Sequence, residues 1–346
     1  MCFIALYFQI ENNPYKLLTW RILMSKPKVF ITRKWPESVE AKLKELYDVT
    51  LNEYDRPLSA AHFRDALQHY DAVCPTVCDS FPAEVINVPN KRCKILGNFG
   101  VGFNHIDINA AKEQGLVVTN TPGVLTESTA DIAMTLLLMS ARRGAEGDRL
   151  VRARQWTGWC PTHMMSSDVT GAALGLIGFG RIAQAMARKA HHGFNMKIYY
   201  FSPRAADQHV VDDLDATRCE TLEELMQVSD YVSLHCPGGA ETHHLINEQR
   251  LSQMKPTAHL INTARGDVVD SKALIKALKE KRIAGAGLDV YEGEPDIDEG
   301  FLSLENVSLL PHLGSATIAT RTAMGEKVLE NLAAFFAGQE PPDRMA

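Results

Sequence analysis

Cysteine is sparse in this chain and follows no pattern. Seven are scattered over 346 residues, at Cys2, Cys74, Cys78, Cys93, Cys160, Cys219 and Cys236, and none forms a CxxC pair. That excludes a disulfide-dense scaffold, a zinc ribbon and a thioredoxin-like motif. A reducing, cytoplasmic setting is the simplest expectation. Cys74 and Cys78 are expected as buried thiols near a sheet edge. Positive charge is not in excess either: 36 Lys and Arg stand against 42 Asp and Glu, a formal net charge of −6. A basic nucleic-acid surface is thereby excluded at the level of the whole protein. The apolar run Cys2–Ile10 is far too short to span a bilayer and lacks a basic leader. Glu11-Asn12-Asn13-Pro14 follows it instead of a small-residue cleavage site, so neither a signal peptide nor a membrane partner is expected. His191-His192 and His243-His244 are adjacent pairs, which point apart on a helix, and no metal site is expected.

What is present is a globular composition, 45% hydrophobic and 23% charged, at a length that suits two domains. Residues 1–26 read as an N-terminal extension. Met24-Ser25-Lys26-Pro27-Lys28 leads directly into Val29–Thr32, so Met24 is expected to be the natural start. From there strands alternate with helix-length segments. Strands are expected at Val29–Thr32, Ala72–Pro75, Lys94–Gly97 and Val117–Thr119, with a helix over Ser38–Tyr47. Ser128–Arg143 is an almost wholly apolar helix that should be buried and could cross between domains. A second series of six strands follows, at Leu174–Ile177, Lys197–Phe201, Tyr231–Leu234, His259–Asn262, Gly285–Leu288 and Ser308–Leu310. Helices are expected between them at Ile182–Ala190, Leu222–Met226, Glu248–Met254 and Lys272–Glu280, and a last one over about Thr317–Phe336. The pattern predicts an α/β protein with parallel sheets, one domain inserted into another.

Gly178-Phe179-Gly180-Arg181-Ile182-Ala183 follows an apolar strand and opens a helix. In that context Gly178 permits the turn, Gly180 admits a pyrophosphate, and Ala183 is small enough for helix–strand packing. Free N–H groups and the helix dipole favour the anion. The next strand ends in Ser202-Pro203-Arg204, where an NAD site usually carries an acidic residue. Ser202 removes the carboxylate that would repel a 2′-phosphate, and Arg204 can reach it, so NADPH is expected in preference to NADH. Further on, Arg265, Glu294 and His312 each follow a strand, where ligands of doubly wound sheets bind. Singly, each has an ordinary structural explanation. Together they suit reduction of a 2-oxo acid: His312 as proton donor, Glu294 beside it favouring the imidazolium, and Arg265 gripping a carboxylate with its guanidinium fork.

These motifs, with Ala264-Arg265-Gly266, Leu288-Asp289-Val290-Tyr291-Glu292-Gly293-Glu294-Pro295 and Pro311-His312-Leu313-Gly314-Ser315 in order, resemble the D-isomer-specific 2-hydroxyacid dehydrogenase family over about residues 27–335. Within it the chain is most similar to bacterial glyoxylate/hydroxypyruvate reductases of the B type. The resemblance implies a flavodoxin-like substrate-binding domain, 27–124 and 312–346, and an inserted Rossmann-type NAD(P)-binding domain, 125–311. It assigns Arg265, Glu294 and His312 to catalysis. It implies that the backbone amides of Val101 and Gly102 bind the substrate carboxylate. It adds Thr129, Arg181, Ile182, Cys236, Pro237, Thr242, Thr263, Ala264, Asp289 and Ser315 as cofactor contacts, and a homodimer whose Trp156-Thr157-Gly158-Trp159 loop reaches the partner. The implied reactions are glyoxylate to glycolate and hydroxypyruvate to D-glycerate. The alternatives are an NAD-dependent dehydrogenase of D-lactate or 3-phosphoglycerate, or a non-catalytic nucleotide-sensing scaffold on the same fold.

Overall fold

The computed structural model describes residues 25–346. The expected start at Met24 and most of the N-terminal extension lie outside the described residues. The chain divides into two compact units. One comprises residues 25–99, His105–Asn120 and Gly325–Ala346; the other comprises Gly100–Asn104 and Thr121–Met324. The chain thus re-enters the first unit inside its last helix, against the expected return at His312.

The first unit holds a five-stranded sheet of β1 (Lys28–Ile31), β2 (Asp48–Leu51), β3 (Ala72–Cys74), β4 (Ile95–Gly97) and β5 (Val117–Thr119). All pairs are parallel and the order is β2-β1-β3-β4-β5, the flavodoxin-like arrangement. Its helices are α1 (Glu37–Leu46), α2 (Ala60–His69), α3 (Ala83–Ile86) and α4 (Ile108–Glu113). Val39 and Leu43 bury one face of α1 and Phe63, Ala66 and Leu67 one face of α2, the spacing expected of helices on a sheet. Asp107 caps α4 by accepting from the Ala110 N–H at 2.9 Å. Cys74 is buried as expected, but on the central strand β3; Cys78 is exposed, because it lies in the loop beyond that strand.

The second unit begins with α5 (Thr126–Ala141) and α6 (Gly144–Arg152). Helix α5 is largely buried, as its composition predicts, but it lies wholly within this unit. Its strands are β6 (Ala173–Ile177), β7 (Lys197–Phe201), β8 (Thr217–Arg218), β9 (Tyr231–Leu234), β10 (His259–Asn262), β11 (Gly285–Leu288) and β12 (Val307–Leu309). The sheet is parallel with order β12-β11-β10-β9-β6-β7-β8, seven strands where six were expected. β8 was missed because it is two exposed residues long. The helices are α7 (Arg181–Phe194), α8 (Gln208–Asp213), α9 (Leu222–Val228), α10 (Glu248–Leu251) and α11 (Ser271–Lys279). Every residue of β6, β9, β10 and β11 is buried, as a parallel sheet covered on both faces requires. The strand order reverses between β6 and β9, the switch point beyond whose carboxyl ends ligands of such sheets bind. Helix α12 (Ile318–Phe336) closes the chain's elements. No helix among the described residues is long and apolar enough to cross a membrane.

Candidate active site

All the site residues singled out from the sequence lie in the second unit, including Val101 and Gly102, which cluster with it rather than with the first. The turn from β6 to α7 is made by Gly178 at φ +84°, whose N–H donates to the Phe201 carbonyl at 2.8 Å. A Cβ there would stand 2.9 Å from the backbone of His235 and Cys236, so only glycine fits. Gly180 precedes α7 without a capping side chain, and a Cβ there would meet nothing within 4 Å. The start of α7 is therefore uncapped by a side chain and uncrowded at Gly180, as an anion site requires. Ala183 is fully buried, consistent with its packing role, whereas Arg181 is exposed and Ile182 half-buried at the mouth of the turn.

The loop after β9 carries Cys236 and Pro237. The Thr242 hydroxyl donates to the Pro237 carbonyl at 2.7 Å, so it stabilises its own loop. After β10, Asn262 braces the chain: its amide donates to the Arg265 carbonyl at 2.8 Å and its oxygen accepts from the Ala264 N–H at 2.9 Å. The sequence did not single out Asn262. Between them Thr263 and Ala264 are buried, and the Thr263 hydroxyl has no hydrogen-bond partner. A buried orphan hydroxyl at a strand's carboxyl end suits a polar cofactor. After β7, Ser202 is half-buried and Arg204 exposed. The glycine turn, the uncapped helix N-terminus and the Thr263 hydroxyl together fit a dinucleotide with its pyrophosphate on α7.

Arg265 is half-buried. Its Nη1 donates to the Ala264 carbonyl at 2.6 Å and its Nε to Asn104 Oδ1 at 3.3 Å. Burial lowers its pKa from the ordinary arginine value, opposed by the charges of Glu294 and Asp267; it remains a cation at neutral pH. Gly102 lies against the same guanidinium. Gly266 lies flush on the Tyr291–Glu292 backbone, where a Cβ would fall 1.8 Å from the Tyr291 carbonyl carbon. This close approach sets the turn that carries Glu294 beside the strand that carries Arg265.

His312 Nδ1 and Glu294 Oε2 are 2.9 Å apart, with side chains 34% and 29% exposed. The other carboxylate oxygen of Glu294 accepts from the Tyr291 N–H at 2.8 Å. Burial alone would raise the Glu294 pKa. The hydrogen bond and charge of His312, the Tyr291 N–H and the charge of Arg265 outweigh it and hold the carboxyl below its ordinary range. His312 itself sits at φ +54°, the left-handed region, and is fixed there by Asp289. The Asp289 carbonyl accepts from the His312 N–H at 2.9 Å, and its carboxylate accepts from the Leu313 and Gly314 amides at 2.6 and 2.8 Å. Burial raises the Asp289 pKa, while those amides and His312 act in the opposite direction. Thr129 on α5 donates its hydroxyl to the Gly314 carbonyl at 3.2 Å, and Ser315 follows, half-buried. Asp289 and Thr129, expected as cofactor contacts, thus also build the turn behind His312.

A cation that can hold a carboxylate, a carboxylate-backed imidazole and a dinucleotide turn on one sheet edge define an oxidoreductase of the D-2-hydroxyacid dehydrogenase type. Comparison with known proteins agrees. Residues 134–314 match the family model described as D-isomer specific 2-hydroxyacid dehydrogenase, NAD binding domain, and the chain belongs to that family. It is 46% identical over 321 residues to a glyoxylate reductase of Thermococcus onnurineus, covering 92% of this chain and 95% of the relative. It is also 46% identical over 322 residues to a glyoxylate reductase of Pyrococcus furiosus, covering 92% and 94%. Among solved structures it superposes with TM-score 0.82 and 34% identity on an NADPH-dependent glyoxylate/hydroxypyruvate reductase of Sinorhizobium meliloti in complex with NADP and malonate, covering 93% of this chain and 97% of that one. The protein is therefore a nicotinamide-dependent enzyme.

Proposed function

We propose that the protein reduces small 2-oxo acids, glyoxylate to glycolate and hydroxypyruvate to D-glycerate, with NADPH in preference to NADH. The observation that carries the reading is the His312–Glu294 pair at 2.9 Å, with Arg265 on the neighbouring strand end. Gly178, Gly180, Arg181 and Ile182 hold the pyrophosphate; Thr263, Ala264, Asp289 and Ser315 line the nicotinamide half, and Thr129, Cys236, Pro237 and Thr242 are further cofactor contacts. When bound, the reduced nicotinamide supplies a hydride to the substrate's carbonyl carbon. Arg265 and the amides of Val101 and Gly102 take the substrate carboxylate, and the guanidinium also polarises the carbonyl. His312, protonated and held by Glu294, gives its proton to the carbonyl oxygen. Glu294 then stabilises the imidazolium that must re-form.

The absence of a carboxylate at Ser202 and the cation at Arg204 support NADPH. Trp156 and Trp159, 54% and 80% exposed, support a homodimer contact through that loop, and the scattered thiols support a cytoplasmic setting. Initial rates with NADPH and NADH against glyoxylate, hydroxypyruvate and pyruvate test the reading. It predicts an NADPH advantage of about tenfold or more in kcat/KM and turnover of the first two acids. An NADH preference would mean that Ser202 and Arg204 were misread.

A further inference from the structure

The loop after β7 has a second cation beside it. β8 pairs parallel with β7 and sets Arg218 opposite Tyr200, and the Cys219 N–H donates to the Tyr200 carbonyl at 2.8 Å. From that edge position Arg218 Nη2 reaches the Ser202 carbonyl at 3.1 Å. Only one of its five N–H donors is engaged there. Neither Arg218 nor Arg204 forms a salt bridge among the described residues. The acids of the intervening helix α8 have other partners: Asp212 accepts from Gln208 at 2.8 Å, and Asp213 lies 3.8 Å from His192. A phosphomonoester carries about −1.5 to −2 charges at neutral pH, more than one arginine neutralises.

We propose that Arg218 is a further determinant of cofactor choice, bracketing the ribose 2′-phosphate of NADPH together with Arg204 at the Ser202 loop. The assignment rests on the NADPH reading above. The Ser202 carbonyl holds the guanidinium at the loop that follows β7, where the ribose of a dinucleotide is bound in such folds, and leaves its other donors for the phosphate. A guanidinium suits this task better than an ammonium because its fork matches phosphate oxygens.

Calorimetric titration of NADP+ and NAD+ into the wild type, Arg218→Ala and Arg218→Lys tests the assignment without turnover. Arg218→Ala is expected to weaken NADP+ by about ten- to a hundredfold and leave NAD+ unchanged, with Arg218→Lys recovering part of the loss. Equal weakening of both nucleotides would overturn the assignment and make Arg218 a strap for the Ser202 loop. No weakening of either would overturn it as well. A wild type that binds NAD+ more tightly than NADP+ would sink the NADPH reading first, and this assignment with it.

Discussion

Gly102 lies so close to Arg265 that a Cβ on it would stand 1.5 Å from Nη2. The guanidinium proposed to grip the substrate carboxylate and the loop proposed to share the task are in contact through a missing methyl group. Gly102→Ala must therefore push the guanidinium or the loop by an ångström or more. The expected result is a fall in kcat/KM of about a hundredfold, the scale of such a misplacement, with the melting temperature nearly unchanged. Normal kinetics in Gly102→Ala would show that Arg265 takes another position when substrate binds.

His312→Asn separates proton donation from backbone geometry. The position has φ +54°, which asparagine tolerates and most residues do not. The turn should survive while the proton donor is lost. The expected kcat falls by about 10²–10⁴-fold, with cofactor affinity unchanged when titrated by fluorescence. Retention of most of the wild-type kcat would remove His312 from this role.

Glu294 predicts a pH signature in stability. Its folded-state pKa is lowered despite burial. A carboxyl with a depressed pKa contributes stability that is present above its unfolded value and lost as pH falls through the folded one. Denaturant melts of wild type and Glu294→Gln across the acidic range should therefore converge on acidification, apart from a constant offset. A difference independent of pH would show that the carboxylate is not held by His312 and Tyr291.

Thr263 predicts opposite effects on the free and the cofactor-bound protein. Its buried hydroxyl has no partner, and such a group costs about 1–3 kcal/mol. Thr263→Val keeps the shape and removes the cost, so the free protein should melt at the same temperature or higher. Cofactor binding should weaken by about tenfold, the scale of one hydrogen bond. Unchanged affinity would place the hydroxyl outside the cofactor site.

Much of this was legible in the sequence, because the site depends on local motifs. Gly178 and Gly180 are set by the turn from β6 to α7, and Arg265, Glu294 and His312 by strand ends. What escaped has weak local signals. β8 is an edge strand of two exposed polar residues, so no apolar alternation marks it; β2 does alternate, with Val49 and Leu51 half-buried between exposed Asp48 and Thr50, but over only four residues at a sheet edge. Helix α6 buries nothing. Helix α2 did carry a signal: Phe63, Ala66 and Leu67 share one face, and Ser59 bonds to His62 at its start. The second duty of Asp289, holding the Leu313 and Gly314 amides, joins residues from two strand ends. So does the reach of Arg218 to Ser202. Neither could be read from spacing, because tertiary folding creates the proximity.

The last helix has a consequence for the order in which the protein is made. Val328, Leu329 and Leu332 share one apolar cluster with Val29, Ile31, Val39, Leu43 and Ile95, and a Cβ on Gly97 would stand 2.8 Å from Val328 Cγ1. The first unit to leave the ribosome cannot complete its core until almost the whole chain has emerged. The second unit, nearly continuous from Thr121 to Met324, has all its strands available earlier. During synthesis the cofactor-binding half is thus able to fold first, while the N-terminal strands wait with β1 and β4 lacking their final cover.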